Sequence, residues 1–232
     1  METMSDQSRI YLDHAATTPV IPAARAAMAD AMAQWANPSS PHQEGRAARF
    51  AVEDARRRIA KALDWDGEVI LTSGASEAIA LGLRGTAAVA SAVEHDAVLA
   101  VTGSNHLPVG ADGQVDVGAI SGKARFAVQS VNNETGVIQP MAEITAAVRA
   151  FDGIFFADCS QSAGKLPLPD ADMIAVSAHK LGGPPGMGAL LVRNLGLLAR
   201  PAVALVGARN ASAGACQFAR QLAFELGQMG LS

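Results

Sequence analysis

The stretch Ser177-Ala178-His179-Lys180-Leu181-Gly182-Gly183-Pro184-Pro185-Gly186 joins a hydroxyl, an imidazole and an amine to a turn rich in glycine and proline. The apolar run Met173-Ile174-Ala175-Val176 leads straight into it. A lysine at the end of such a run can be partly desolvated, which lowers its pKa and makes the amine nucleophilic toward an aldehyde. Ser177 and His179 can donate to a phosphate, and glycines let the backbone approach a ligand closely. Taken alone, the stretch reads equally well as a surface lysine at a strand end before a loop.

Phe155-Phe156-Ala157-Asp158 puts a carboxylate at the end of a second apolar run. An acid there can pair with the ring nitrogen of a pyridine-type cofactor, whose protonated ring is an electron sink for a carbanion. Gln161 could then reach a hydroxyl on the ring. The plainer reading of Asp158 is a turn former or helix cap. One connection and one strand separate Asp158 from Lys180, so both side chains can emerge at the same sheet edge.

Thr72-Ser73-Gly74-Ala75-Ser76-Glu77 reads as a strand end, a glycine turn and a helix start. Unpaired amides and the helix dipole make such a place attractive to phosphate, and ordinary capping uses the same residue types. Glu94-His95 follows a further β run. A histidine there could stack on an aromatic cofactor and move protons near neutral pH, or serve structure alone. Val131-Asn132-Asn133-Glu134-Thr135-Gly136 closes a strand in polar groups, as many Asn-rich turns do.

The elements that must carry these groups alternate along the chain. Strands are expected over 68–72, 87–92, 125–131, 153–157, 173–177 and 188–192, with a helix opened by the Gly74 turn through Leu83 and another over 141–151. That alternation predicts an α/β fold with a largely parallel sheet, its functional groups gathered at the carboxyl ends of the strands. Ahead of it, 10–13 reads as a short extended piece and 23–35 as an Ala/Met-rich helix. The stretch 45–63 is the clearest amphipathic helix, with Ala47, Phe50, Ala51, Ala55, Ile59 and Leu63 on one face. Near the end, 213–230 reads as a helix on the spacing of Phe218, Leu222 and Leu226.

Composition narrows the function. The 232 residues are 50% hydrophobic and 4% aromatic, which suits helices packed closely on a sheet and argues against disorder. A net charge of −4 without a Lys/Arg block gives no general affinity for nucleic acid. Cys159 and Cys216 are the two cysteines; they show no metal spacing and no disulfide framework, which fits a reducing cytoplasm. The five histidines are scattered and no metal site is expected. No Walker loop or dinucleotide fingerprint occurs. Neither a secretory signal nor a run of membrane-spanning length is apparent, so the expectation is a cytoplasmic protein.

The order of the motifs is more specific than any one of them. Tyr11-Leu12-Asp13-His14-Ala15-Ala16-Thr17-Thr18-Pro19, Asn37-Pro38-Ser39-Ser40-Pro41-His42 with Gly45-Arg46, the Gly74 turn, Glu94-His95-Asp96-Ala97-Val98-Leu99, the Asn133 turn, Asp158-Cys159-Ser160-Gln161-Ser162-Ala163-Gly164-Lys165 and Ser177-Ala178-His179-Lys180 form a colinear set. Over about residues 9 to 195 this set resembles the cysteine desulfurases, a class V aminotransferase branch of the fold-type I pyridoxal 5'-phosphate (PLP) enzymes.

The resemblance implies a three-layer α/β/α large domain over 46–199, an N-terminal segment 1–45 belonging to the family's small domain, and a divergent helical tail over 200–232. It implies that Lys180 forms the Schiff base with PLP and shuttles protons, and that His95 stacks on the ring and assists. It places Asp158 at the ring nitrogen, and Asn133 and Gln161 on the cofactor and substrate side. Ala75, Ser76, Ser177 and His179, with Ala178 between the last two, would hold the phosphate. The family takes sulfur from L-cysteine, leaves L-alanine and an enzyme persulfide, supplies iron-sulfur cluster assembly through an acceptor or scaffold protein, and works as a homodimer.

Three departures are expected to matter. The family's last third, which completes the small domain, has no counterpart here, nor has its persulfide-bearing cysteine loop. Cys159 beside the ring-nitrogen aspartate is a poor mobile sulfur carrier, and Cys216 falls in the tail. The family's later Gly-Gly-Gln-Glu and Gly-Thr-Glu-Asn stretches and a substrate-binding arginine are also missing. The expected function is therefore a cysteine desulfurase homologue of impaired turnover. The alternatives are an inactive PLP-binding or interaction protein and another class V reaction such as transamination or selenocysteine lysis.

Overall fold

In the computed structural model, residues 10–198 and 213–228 are described. The chain divides after Asn194 into two compact units.

The first unit is built on a seven-stranded sheet. Its strands are β1 (Glu68–Thr72), β2 (Ala88–Ser91), β3 (His106–Leu107), β4 (Arg125–Gln129), β5 (Ile154–Asp158), β6 (Met173–Ser177) and β7 (Gly188–Val192), in the order β1-β7-β6-β5-β4-β2-β3. The pairs β2–β3, β2–β4, β4–β5 and β5–β6 are parallel, while β7 runs antiparallel to both β6 and β1. Consequently β1, β2, β4, β5 and β6 all end at one edge. The helices of this unit are α1 (Pro22–Met32), α2 (Gln43–Ala62), α3 (Ala75–Leu83), α4 (Asp96–Thr102) and α5 (Met141–Ala150).

Helices cover both faces of the sheet, which is why the central strands are apolar throughout instead of alternating. On one face Phe126, Val128, Phe155, Ile174 and Leu191 pack with Ile144 and Val148 of α5 and with Ile59 and Leu63 of α2. On the other, α3 lies over β5, β6 and β7. There Gly82 is required: a Cβ at that position would stand 2.5 Å from the Phe156 ring. These are the three layers of an α/β/α fold.

Away from the carboxyl edge, Arg193 ties connections together. Its guanidinium bonds Asp66 at 2.9 Å and Asp170 at 2.7 Å and lies over the Trp65 ring.

The apolar stripe read over 45–63 meets the core only in part. Ile59 and Leu63 pack on it, but Phe50 is 65% exposed, and Ala47 and Ala51 are exposed too. The physical reason is length: a 20-residue helix runs about 30 Å, whereas the five-residue strand β1 beneath it spans about 17 Å. Helix α1 has no buried residue, and Met32 and Trp35 are exposed. Residues 10–13 join no strand. Two elements escaped the sequence reading: α4, which spans seven residues, and β3, which spans two. Both are too short to show a period.

The second unit contains α6 (Ala213–Gln228), which matches the helix expected over 213–230 as far as 228; 229 and 230 lie outside the described residues.

Candidate active site

A cavity of ≈670 Å³ opens at the carboxyl edge of the sheet. That volume falls within the range of about 300–1,000 Å³ usual for small-molecule sites. Five strand ends deliver its walls: Ser73 and Gly74 after β1, His95 after β2, Gln129 and Val131 with β4, Asp158 on β5, and Ser177 and Lys180 from β6. Of the residues singled out in the sequence, Ala75, Ser76, His95, Asn133, Asp158, Gln161, Ser177, His179 and Lys180 line this one cavity. Ala178 is not among the lining residues. Its amide donates to Met187 O, and its carbonyl accepts from Gly183 N, so it holds the loop's shape.

Asp158 is buried at the end of β5, paired across the sheet with Gln129 and Ala175. Its Oδ1 accepts from Ser160 N at 2.9 Å and from Ser160 Oγ at 2.6 Å. Both donors bind one oxygen, leaving Oδ2 as the carboxylate oxygen available to a ligand. Directly behind it, Cys159 is wholly buried, and burial pushes its thiol pKa up to about 12.

Lys180 closes a single 3₁₀ turn, Ala178–Lys180, and is half-buried. A segment from the other end of the chain straps this turn. Thr18 N donates to His179 O at 2.7 Å, Thr18 Oγ1 to Lys180 O at 3.1 Å, and Ile21 N to Gly182 O at 3.0 Å. Gln161 is drawn into the same strap, its amide donating to Ala15 O at 2.9 Å.

Hydrogen bonds also fix the two imidazoles. His95 caps α4, its Nδ1 accepting from Ala97 N at 3.0 Å. Nδ1 is therefore the accepting nitrogen, which puts the ring's N–H at Nε2. His179 Nδ1 lies 3.1 Å from Thr17 Oγ1. Burial, with the Lys180 charge beside it, holds the His179 pKa below the ordinary value, so its ring is neutral at pH 7.

Helix α3 begins at the cavity with Gly74 as N-cap and no side-chain cap. Glu77 Oε2 accepts from Ser73 N at 2.6 Å, a bond that holds its carboxyl below the usual range. The first-turn amides of Ala75 and Ser76 have no carbonyl partner within the helix and stand at the cavity. Strand β7 packs tightly behind this turn: a Cβ on Gly188 would lie 2.6 Å from Gly74 Cα.

Several lining residues went unnoticed in the sequence. Ser160 could have been found from its place two residues after Asp158, the spacing of an Asx turn. Gln129 could not, because only the β4–β5 register puts it opposite Asp158. Asp13, Ala15 and Ala16 reach the cavity only through the strap.

Fold and site together define an α/β/α protein with a lysine, a carboxylate and a helix start around one cavity. Residues 10–213 match the family model described as aminotransferase class-V, and the chain belongs to that family, which is PLP-dependent. The match runs past residue 195, where the motifs read in the sequence end.

Among curated relatives, the chain is 35% identical over 212 residues to the cysteine desulfurase IscS of Dictyoglomus turgidum, covering 79% of this chain and 54% of that protein. It is 38% identical over 216 residues to an IscS-like cysteine desulfurase of Mycobacterium tuberculosis, covering 79% and 55%. The chain thus spans about half the length of the curated relatives it matches. Among solved structures, SspA in complex with cysteine superposes with a TM-score of 0.74 at 31% identity, over 79% of this chain and 61% of that one.

The donor set fits PLP. Ala75 and Ser76 amides, the Ser76 and Ser177 hydroxyls and His179 suit a phosphate, Asp158 suits a ring nitrogen, and Lys180 suits an aldehyde.

Proposed function

We propose that this chain carries the PLP site of a cysteine desulfurase and acts on the amino acid L-cysteine. The observation that carries this reading is the convergence of Lys180, Asp158, His95 and the α3 start on one cavity from separate strand ends. When bound, PLP supplies an electron sink that stabilises negative charge at the substrate's α-carbon.

The residues divide the remaining work. Lys180 attaches the cofactor and moves a proton at its Nζ. Asp158 Oδ2 holds the ring-nitrogen proton, with Ser160 keeping the carboxylate in place. His95 would stack on the ring and offer Nε2 for proton transfer. Asn133 and Gln161 would face the ring's substrate side. The α3 amides, Ser177 and His179 grip the phosphate. The domain assignment belongs to the same proposal: 46–199 as the PLP-binding large domain, 1–45 as a segment of the family's small domain and 200–232 as a divergent tail.

Cys159 favours a second reading for turnover. A thiol this deeply buried, with its pKa raised to about 12, cannot serve as a mobile sulfur carrier. A chain relying on it binds PLP and substrate without releasing sulfur, and completes the cycle only through another thiol, Cys216 or one on a sulfur-acceptor protein. Exposed apolar side chains on α1 and α2, such as Met32 and Phe50, support self-association. A role in iron-sulfur assembly in the cytoplasm belongs to the same proposal. Among the described residues no helix is long and apolar enough to cross a membrane.

The test is incubation with PLP and L-cysteine, quantifying alanine and sulfide, with L-selenocysteine in parallel. PLP binding with alanine and sulfide formed from L-cysteine supports the first reading, and PLP binding with little sulfide supports the second. An intact fold without PLP binding overturns both.

A further inference from the structure

Glu94 is the one buried glutamate among the described residues, and the chemistry above gives it no part. Its Oε1 accepts from Ser91 Oγ at 2.5 Å and from Gln129 N at 2.8 Å, joining the end of β2 to the end of β4. Oε2 is buried without a hydrogen-bond partner. Next to it, the Val93 carbonyl accepts from Gln129 Nε2 and from Asn132 Nδ2, the latter at 3.0 Å. Asn132 also takes the amides of Glu134 and Thr135 on its Oδ1, at 2.9 and 2.8 Å.

This places the β2–α4 turn in a clamp. Strands β2 and β4 pair only as far as Ala90 and Ala127. Beyond that point the backbone of β2 pairs on with β3, Ala92 N donating to Leu107 O at 3.1 Å, but no further β2–β4 ladder pair forms, and the Glu94 carboxyl supplies the acceptor for Gln129 N. His95 follows immediately, so its ring position is set by how firmly Glu94 and Val93 are held.

We infer that Glu94 is a positioning residue: its carboxyl locks the β2–α4 turn to β4 and thereby fixes His95 at the cavity. The functional meaning of this role rests on the PLP reading above. Two acceptor contacts on one oxygen need a carbonyl-type oxygen and no charge. Burial raises the Glu94 pKa to about 8, against the opposing hydrogen bonds from Ser91 and Gln129, and the Asp158 charge adds to the rise. The neutral acid is thus the form that does the holding at pH 7. A glutamine side chain has the same shape and the same acceptor.

The experiment follows the imidazole carbon–proton NMR signals of the five histidines in the full chain without cofactor, for the wild type, Glu94→Gln and Glu94→Ala. A His95→Asn sample assigns the signal. PLP affinity is titrated in parallel. The expected result is a displaced or broadened His95 signal in Glu94→Ala, with His14, His42, His106 and His179 unmoved and PLP affinity about tenfold weaker, as the loss of a buried hydrogen-bonding group implies. Glu94→Gln should restore the His95 signal and bring affinity within about twofold of wild type. If Glu94→Ala does not fold, Glu94→Asp, one methylene too short to bridge both donors, should show the same displacement. A His95 signal unmoved in the folded Ala or Asp variant, or moved as far in Glu94→Gln, overturns the inference. Wild-type protein that fails to bind PLP while His95 behaves as expected removes the PLP reading and leaves the clamp standing.

Discussion

Thr18 Oγ1 donates to the carbonyl of Lys180 at 3.1 Å across 162 residues of sequence. With Thr18 N on His179 O at 2.7 Å, it binds an N-terminal segment to the turn that presents the lysine. The segment that looks like a preface in the sequence therefore forms part of the active-site scaffold. Thr18→Val removes the side-chain bond and keeps the backbone one. It should cost about 0.5–1.5 kcal/mol in urea unfolding and weaken PLP binding a few-fold, read by fluorescence titration.

Added PLP, followed by borohydride reduction, should leave one covalent label, on Lys180, located by peptide mass spectrometry. Lys180→Ala should unfold within about 0.5 kcal/mol of wild type, because the side chain is only half-buried, and should carry no label. A label on Lys165 or Lys123 in the wild type would place the cofactor elsewhere.

Glu94 predicts a pH dependence of stability. Its folded pKa of about 8 lies above the ordinary 4.5, so the native state binds the proton more tightly than the unfolded chain. The stabilisation is complete below about pH 4.5 and declines as pH rises, until the group ionises near pH 8. The charged group that acts on it is Asp158 at the end of β5. Between pH 5 and 8 the wild type should lose on the order of a few kcal/mol relative to Glu94→Gln, measured as the difference between their urea unfolding curves. Parallel curves at both pH values would show that Glu94 is already ionised.

Cys159 should be silent to thiol reagents. In a Cys216→Ala background, native protein at pH 7.5 should release no thionitrobenzoate from Ellman's reagent over a period in which urea-unfolded protein reacts with one equivalent. Burial and a thiol pKa raised to about 12 are the causes. Fast reaction in the native state would reopen Cys159 as a sulfur carrier.

By itself, the sequence determined the α/β class and the strands carrying the chemistry. Met173–Ser177 and Gly188–Val192 match their expected limits, because strands covered on both faces leave unbroken apolar runs bounded by glycine and polar turns. It also showed the lysine, the aspartate, the histidine and the glycine turn, because each stands at the end of such a run. Only the tertiary structure decided that these ends coincide. The antiparallel insertion of β7 between β1 and β6 sets the end of β1, just before the Gly74 turn, near Ser177, because Thr72 and Ser177 both pair with Gly188. No local pattern encodes a strand's neighbours. The Thr18–Lys180 strap, the opposition of Gln129 to Asp158 and the Glu94 clamp likewise escaped notice. Each is a contact between distant residues whose individual types are ordinary, and long-range packing, not local propensity, gives them their roles.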